Sequence, residues 1–261
     1  FWTPQTNTMG NGWQYQYGAN KIRGFKQTHQ PSPWMNDYGQ FSIMPVTGNL
    51  KFKQDDRASW FSHKAEVVKP YYYSVYLADY DVTAELTPTE RAVQFRFTFP
   101  NTDSAFVVVD AFDKGSYIKI IPEERKIIGY STRNSGGVTP DFKNYFVIQF
   151  QKDFETFYTW HDSVLVKGGK ELQKDHTGAV LHFKTGKGEQ VTAQVASSFI
   201  SFEQAELNLR SELKNQNFET TKAAGKKKWN EVLGKLLVEG GTEEQVKTFY
   251  SCLYRMVQFP Q

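Results

Sequence analysis

Between residues 71 and 200 apolar and polar side chains alternate. Val93, Phe95, Phe97 and Phe99 are separated by Gln94, Arg96 and Thr98, the period of two that gives a strand one apolar and one wet face. Similar runs recur at Tyr72 to Leu77, Val82 to Leu86, Ala105 to Ala111, Tyr117 to Ile121, Tyr145 to Phe150, Val180 to Phe183 and Val191 to Ala196. Turn residues punctuate them at Pro100-Asn101, Asp113-Lys114-Gly115, Ser135-Gly136-Gly137, Lys167-Gly168-Gly169 and Gly186-Lys187-Gly188. Short strands in succession, without intervening helices or a fixed repeat, predict a mainly β fold, an antiparallel β-sandwich rather than a βαβ sheet.

At Ser201 the period changes. Ser201 and Gln204 form a capping box, and Phe202, Ala205, Leu209 and Leu213 follow at helical spacing. A second helical stretch carries Trp229, Val232, Leu233 and Leu236 on one face, preceded by Lys226, Lys227 and Lys228, read as a solvated helix face. Thr242 and Gln245 form another box, opening a helix with Val246, Phe249, Tyr250, Leu253 and Val257 on one stripe. Such a stripe needs a partner surface, expected in a domain beyond Gln261.

Composition narrows the function. The charge balance, 31 Lys+Arg against 28 Asp+Glu, lacks the basic excess of a nucleic-acid reader. No stretch approaches the roughly 20 apolar residues of a membrane span. The chain starts at Phe1, without Met, so either processing or fragmentation is expected to have removed what came first, and any targeting signal with it. Cys252, the only cysteine, excludes a zinc cluster and reads as a small buried hydrophobe. The five histidines (His29, His63, His161, His176 and His182) show no His-x-x-x-His spacing, and no P-loop, dinucleotide fingerprint or nucleophile elbow is present. Asp55-Asp56 and Glu123-Glu124 are adjacent pairs whose side chains diverge, and Asp110 and Asp113, near a strand end, could touch substrate but are not distinguished from turn residues. No catalytic residue and no metal ligand is therefore assigned within the chain.

Aromatic residues make up 16% of the chain, with 14 Tyr and 6 Trp beside 21 Phe. Strand propensity accounts for most of them, but Tyr and Trp near polar loops also suit sugar-binding surfaces. The densest cluster runs from Gly12 to Asp37. Trp13, Tyr15 and Tyr17 alternate, so in a strand they would share a face and form an aromatic platform. His29, Gln30, Trp34 and Asp37 lie on a loop braced by Pro31 and Pro33, each of which fixes its own φ and biases its predecessor away from helix. A stiff loop loses little entropy on binding. Singly, each residue reads as structural: His29 bonded to backbone, Asp37 starting a turn, Trp34 plugging the sandwich end, the other aromatics in the core. As a cluster the binding reading comes ahead.

Thr28-His29 with Asp37-Tyr38-Gly39, the run from Tyr72 through Ala84-Glu85-Leu86-Thr87-Pro88 to Phe97-Thr98-Phe99-Pro100, and Phe249-Tyr250-Ser251-Cys252-Leu253-Tyr254-Arg255 together resemble glycoside hydrolase family 92, the bacterial α-mannosidases, over nearly the whole chain. The resemblance implies a sandwich over residues 1–200, its first strands expected ahead of Phe1. Linker helices over 201–239 and the first helix of an (α/α)6 catalytic barrel over 240–261 would follow. It implies an exo-acting, inverting, calcium-dependent α-mannosidase acting on mannose-containing glycans, including N-glycans, in the periplasm, at the cell surface or secreted. The calcium and both catalytic carboxylates would lie mainly on the chain's own C-terminal catalytic domain. His29 and Asp37 match the family's Thr-His and Asp-Tyr-Gly positions. Between them, family α-1,2-mannosidases have a His-Leu-Ser-Gly-Thr-Gly loop where this chain has His29-Gln30-Pro31-Ser32-Pro33-Trp34, so α-1,2 preference does not transfer. The alternative is a non-catalytic carbohydrate-binding sandwich module.

Overall fold

The alternating runs form strands where their period predicts them. The computed structural model describes residues 2–6, 15–27, 40–134 and 136–258, and every strand pairing among these is antiparallel. One sheet has the order β1 (Trp2–Thr6), β2 (Lys21–Gln27), β3 (Ser42–Thr47), β9 (Thr102–Asp110), β16 (Thr177–Thr185), β13 (Thr156–His161), β14 (Val164–Lys167), with β4 (Ser59–Trp60) also on β2. The other has the order β15 (Glu171–Lys174), β10 (Ser116–Ile121), β11 (Lys126–Ser131), β12 (Asn144–Phe150), β17 (Glu189–Ser198), β8 (Ala92–Phe99), β7 (Val82–Pro88), β6 (Tyr72–Leu77), β5 (Glu66–Lys69). Phenylalanines from both sheets fill the space between them: Phe41 stacks on Phe146 at 4.2 Å, Phe25 meets Phe95 at 6.1 Å, and Phe150 meets Phe183 at 5.9 Å.

Val93, Phe95, Phe97 and Phe99 are buried in this core, as their period predicts. The face expected to be wet is covered instead. Gln94 is buried and donates through Nε2 to Thr221 Oγ1 (2.8 Å) and the Gln216 carbonyl (3.1 Å). Arg96 pairs with Glu85 (2.6 Å) and Glu219 (2.7 Å) while lying over the Phe218 ring at 4.1 Å. The cause is the helices, which dock on this outer face. In α1 (Phe202–Leu213), Ala205, Leu209 and Leu213 pack against Ala92, Val147 and Ala196, and Phe202 meets Tyr145 edge-on at 4.9 Å.

The Ser201 hydroxyl caps α1 by accepting from the Gln204 N–H, but the Gln204 side chain turns to Asn208 instead of closing the box. Next, α2 (Phe218–Leu233) is capped by Asn217 and docks through Phe218 and Thr221. Gly225 allows its close approach, since a Cβ there would lie 3.0 Å from Tyr71 Cβ. Lys226, Lys227 and Lys228 are exposed as predicted, whereas Leu236 lies past the helix end and is exposed. The Thr242–Gln245 box is complete at the start of α3 (Glu243–Gln258). Along its stripe Leu253 is buried, Val246, Phe249 and Tyr250 are half-buried and Val257 is exposed, while Tyr254 meets Trp229 of α2 at 5.0 Å. Cys252 points outward next to Leu253 and is exposed, not buried as its type led us to expect.

Asp110 is not a surface turn residue. It is 1% exposed at the end of β9, where it accepts from Arg57 Nη2 (2.9 Å), His176 Nε2 (2.8 Å) and the Phe112 N–H (2.9 Å). Arg57, wholly buried, donates also to the carbonyls of Arg23 (2.7 Å) and Phe52 (2.8 Å) and to Ser42 Oγ (3.3 Å). Burial alone would raise the Asp110 pKa, but the Arg57 charge and then His176 hold it down at about 2. Burial likewise works against protonated His176, and the bond to Asp110 outweighs it, raising that pKa. Gly178, in register with both Trp160 and Asp110, leaves room for the indole; a Cβ there would come within 2.4 Å of the ring.

Two predictions follow from this buried pair. Arg57→Met leaves the Asp110 carboxylate buried beside a neutral side chain and lowers unfolding free energy by about 3–5 kcal/mol in urea titration. An unfolding free energy equal to that of wild type indicates instead that water replaces the guanidinium. The pair's share of stability falls at both ends of the pH scale. His176, raised above 6.5, contributes fully below that value and loses its contribution as pH rises through the folded pKa. Asp110, lowered from 3.8, contributes above that value and loses its contribution as pH falls towards about 2. His176→Phe therefore flattens the alkaline side of a stability–pH profile and leaves on the acid side the part that Arg57 supplies; an unchanged alkaline limb refutes the coupling.

Candidate functional site

The loop expected to recognise ligand, with His29, Gln30, Trp34 and Asp37, lies outside the described residues, as does Trp13. Its two stems are described. They are the end of β2 and the start of β3, joined by the Gln27 N–H to the Phe41 carbonyl (3.1 Å) and by register pairing of Lys26 with Ser42. Both stem side chains on β2 are buried. Lys26 Nζ donates to Gln40 Oε1 (3.1 Å). Gln27 reaches across to the other sheet, where its Nε2 donates to Ser197 Oγ (2.7 Å) and its Oε1 accepts from Asn144 Nδ2 (3.1 Å). Ser197 is the penultimate residue of β17, two positions before the exposed Phe199 and Ile200 that lead to α1. The loop thus springs from the end of the sandwich at which the chain passes into its helices.

Tyr15 and Tyr17 do not share the face of a strand. Residues 15–20 form an irregular segment with a turn at Gln16–Ala19, closed by Ala19 N–H to Gln16 O at 3.0 Å. The Tyr15 N–H donates to Thr3 Oγ1 (3.0 Å), and Thr3 is the register partner of Lys26, so the segment lies against β1 close to the loop stem.

The two tyrosines meet on residues that the sequence pattern did not single out. Tyr15 O–H donates to Glu66 Oε1 at 2.7 Å, and Tyr73 O–H donates to Glu66 Oε2 at 2.8 Å. His63 stands on a short 3-10 turn capped by Ser62; its Nδ1 contacts Glu66 Oε1 at 2.5 Å and its Nε2 faces the Tyr17 carbonyl at 2.7 Å. The Tyr17 ring stacks on the His63 ring, centroids 4.1 Å apart and planes 12° from parallel. With acceptors at both ring nitrogens, the imidazolium is favoured: the Glu66 bond raises the His63 pKa, burial opposes it and the Tyr17 carbonyl adds to the rise. Tyr15 and Tyr73 are raised in turn, by burial first and by Glu66 besides. The single signal available in the sequence was the His63-x-x-Glu66 spacing, which falls where no periodic pattern marks an element.

The arrangement lacks a general acid/base couple aimed at a cleft. Among the described residues no group of three or more His, Cys, Asp or Glu side chains is placed to hold a metal ion. The resemblance places the calcium ligands mainly on the C-terminal catalytic domain, and no described helix is long and apolar enough to cross a membrane.

Comparison with known proteins supplies what the geometry leaves open. An inverting mannosidase of glycosyl hydrolase family 92 from Bacteroides thetaiotaomicron superposes with a TM-score of 0.95 at 43% identity, covering 100% of this chain and 35% of its own. An α-mannosidase of the same family and organism, also solved in complex with mannoimidazole, gives a TM-score of 0.86 at 28% identity, covering 97% and 36%. An uncharacterized secreted glycosidase of Arthroderma benhamiae is 24% identical over 277 residues, 94% of this chain and 36% of that protein. The chain thus spans little more than a third of the length of these relatives. The family model for the glycosyl hydrolase family 92 N-terminal domain matches residues 1–198, and the model for its catalytic domain matches residues 204–261. The sandwich with its docked helices accordingly belongs to glycosyl hydrolase family 92.

Proposed function

We propose that this chain is the sandwich, the linker and the beginning of the helical catalytic domain of an exo-acting, inverting, calcium-dependent α-mannosidase. In this reading the loop at residues 28–39 lines the leaving-group side of the mannoside site. The observation that carries it is the Gln27 bridge to Ser197 and Asn144. It ties the loop stem to the point where the chain enters the part matched by the catalytic-domain model. That match also weighs against a free-standing binding module. Support for mannosides comes from the solved relatives, an inverting mannosidase and an α-mannosidase complexed with mannoimidazole.

An inverting glycosidase holds its two carboxyl groups roughly 6.5–9.5 Å apart so that water fits beside the anomeric carbon. We assign that pair, and the calcium ligands, to the protein outside the described residues. This chain's own part is positional: His29, Trp34 and Asp37 face the sugar that leaves. We further place the enzyme in a bacterial periplasm, on the cell surface or in the medium, acting on glycans such as N-glycans; the secreted fungal relative is in keeping with an extracytoplasmic site.

The test uses the enzyme that carries this chain, assayed on α-mannobioses of each linkage and on an aryl α-mannoside, with and without a chelator. Expected are hydrolysis with inversion and loss of turnover on chelation that calcium restores; absence of α-mannoside hydrolysis refutes the reading. Trp34→Ala removes a stacking platform of about 1–3 kcal/mol, roughly 5- to 150-fold in kcat/KM on a disaccharide. The loss is smaller on the aryl mannoside, whose leaving group depends less on that subsite. Equal losses on both substrates remove Trp34 from the leaving-group side.

A further inference from the structure

We propose that Tyr17 is a preset aromatic platform for a pyranose ring at the sandwich edge, and that His63 and Glu66 are the positioning residues that hold it. The inference rests on the mannosidase reading only for the identity of the sugar.

Tyr17 is 74% exposed, so it contributes little to the core, yet its ring is fixed. Beneath it the His63 ring lies parallel, and that ring is oriented at both nitrogens, by Glu66 and by the carbonyl of Tyr17 itself. Phe61 packs against His63 edge-on at 5.1 Å. The Glu66 side chain is 4% exposed and is clasped by Tyr15, Tyr73 and His63, the three titratable groups that reach it. Tyr15, Glu66 and Tyr73 tie the 15–20 segment to β5 and β6, and His63 joins that tie through Glu66, the Tyr15 hydroxyl (3.1 Å) and the Tyr17 carbonyl. The Tyr17 ring itself makes none of these bonds; stacked on His63, it is an ordered aromatic ring in solvent.

Such a ring meets the C–H face of a pyranose while its hydroxyl edge stays hydrated, and its prior ordering removes an entropic cost of binding. Tyr15 is tied to Thr3 opposite Lys26, so the platform lies along the edge that leads to the 28–39 stem. An oligosaccharide extending from the cleaved bond towards this edge would be its occupant, and a short substrate would not reach it.

Kinetics of the enzyme carrying this chain, on α-mannosyl oligosaccharides of increasing length and on an aryl mannoside, test the assignment. Tyr17→Ala should raise KM for the longer substrates about 3- to 10-fold at unchanged kcat, leave the aryl mannoside as it was and keep the melting temperature. Tyr17→Phe, which keeps the stacking face, should behave as wild type. His63→Ala should move KM in the same direction. Glu66→Gln should do so too, while lowering the His63 titration midpoint seen by NMR, because the carboxylate is the first cause of its rise. Wild-type KM on every substrate for Tyr17→Ala overturns the platform, as does equal damage by Phe and Ala. A fall in melting temperature with KM unchanged assigns Tyr17 to the fold instead and equally overturns it. Failure of the mannosidase reading is separable. If wild type cleaves no α-mannoside, the same variants are run in affinity gels containing mannan, xylan or β-glucan. Retardation lost in Tyr17→Ala and kept in Tyr17→Phe supports the platform, and no retardation of wild type in any gel overturns it.

Discussion

A guanidinium without solvent must place its N–H groups on oxygens, and Arg57 does so on four structural pieces at once. It takes the Arg23 carbonyl from β2, Ser42 from β3, Asp110 from β9 and the Phe52 carbonyl from the segment leading to it. The register of three neighbouring strands is thereby fixed around one charge. Two of those strands, β2 and β3, are the stems of the loop at 28–39. The position of those two stems on the sandwich follows from this buried ion pair, which reaches Ser42 at the start of β3, together with the Gln27 bridge that joins the stem to the second sheet.

Much of the second sheet was legible as sequence. The phenylalanine alternation of β8 and the runs of β6, β7, β10, β12 and β17 carry full amphipathic periods, because each has one face against the core. Elements that broke the period escaped notice. Gly129 interrupts β11 to make room for Phe146, whose ring a Cβ would meet at 2.5 Å. Pro45 interrupts β3, and β14 and β15 are four-residue strands on sheet edges with few buried side chains. The reading of β8 as wet on one side failed for a different reason: polar residues there face helices. Gln94 and Arg96 look like solvent residues in sequence but are paired with Thr221, Glu85 and Glu219. Hydropathy records polarity and not whether a polar partner exists.

The candidate site divides in the same way. Two prolines around Ser32 mark the loop in the sequence because they act locally on the backbone. The Tyr15–His63–Glu66–Tyr73 network joins residues up to 58 positions apart, from an irregular segment, a 3-10 turn and two strands, and each member singly resembles an ordinary surface residue. Only the fold brings a histidine with two acceptors under an exposed tyrosine.

The order of strands also sets an order of events. The late strands β16 and β17 do not lie at the edges of their sheets but between β9 and β13, and between β12 and β8. Until the chain is made to Thr185 for the first sheet, and nearly to Ser198 for the second, each sheet is in two separate halves with unpaired inner edges. Pairings of this span are slow to form because loop closure precedes the contacts that reward it. The outer surface on which α1 rests, formed in part by Ala196, exists only once β17 is in place. Closure of the second sheet and docking of α1 would therefore both come late in the making of this chain, one directly after the other.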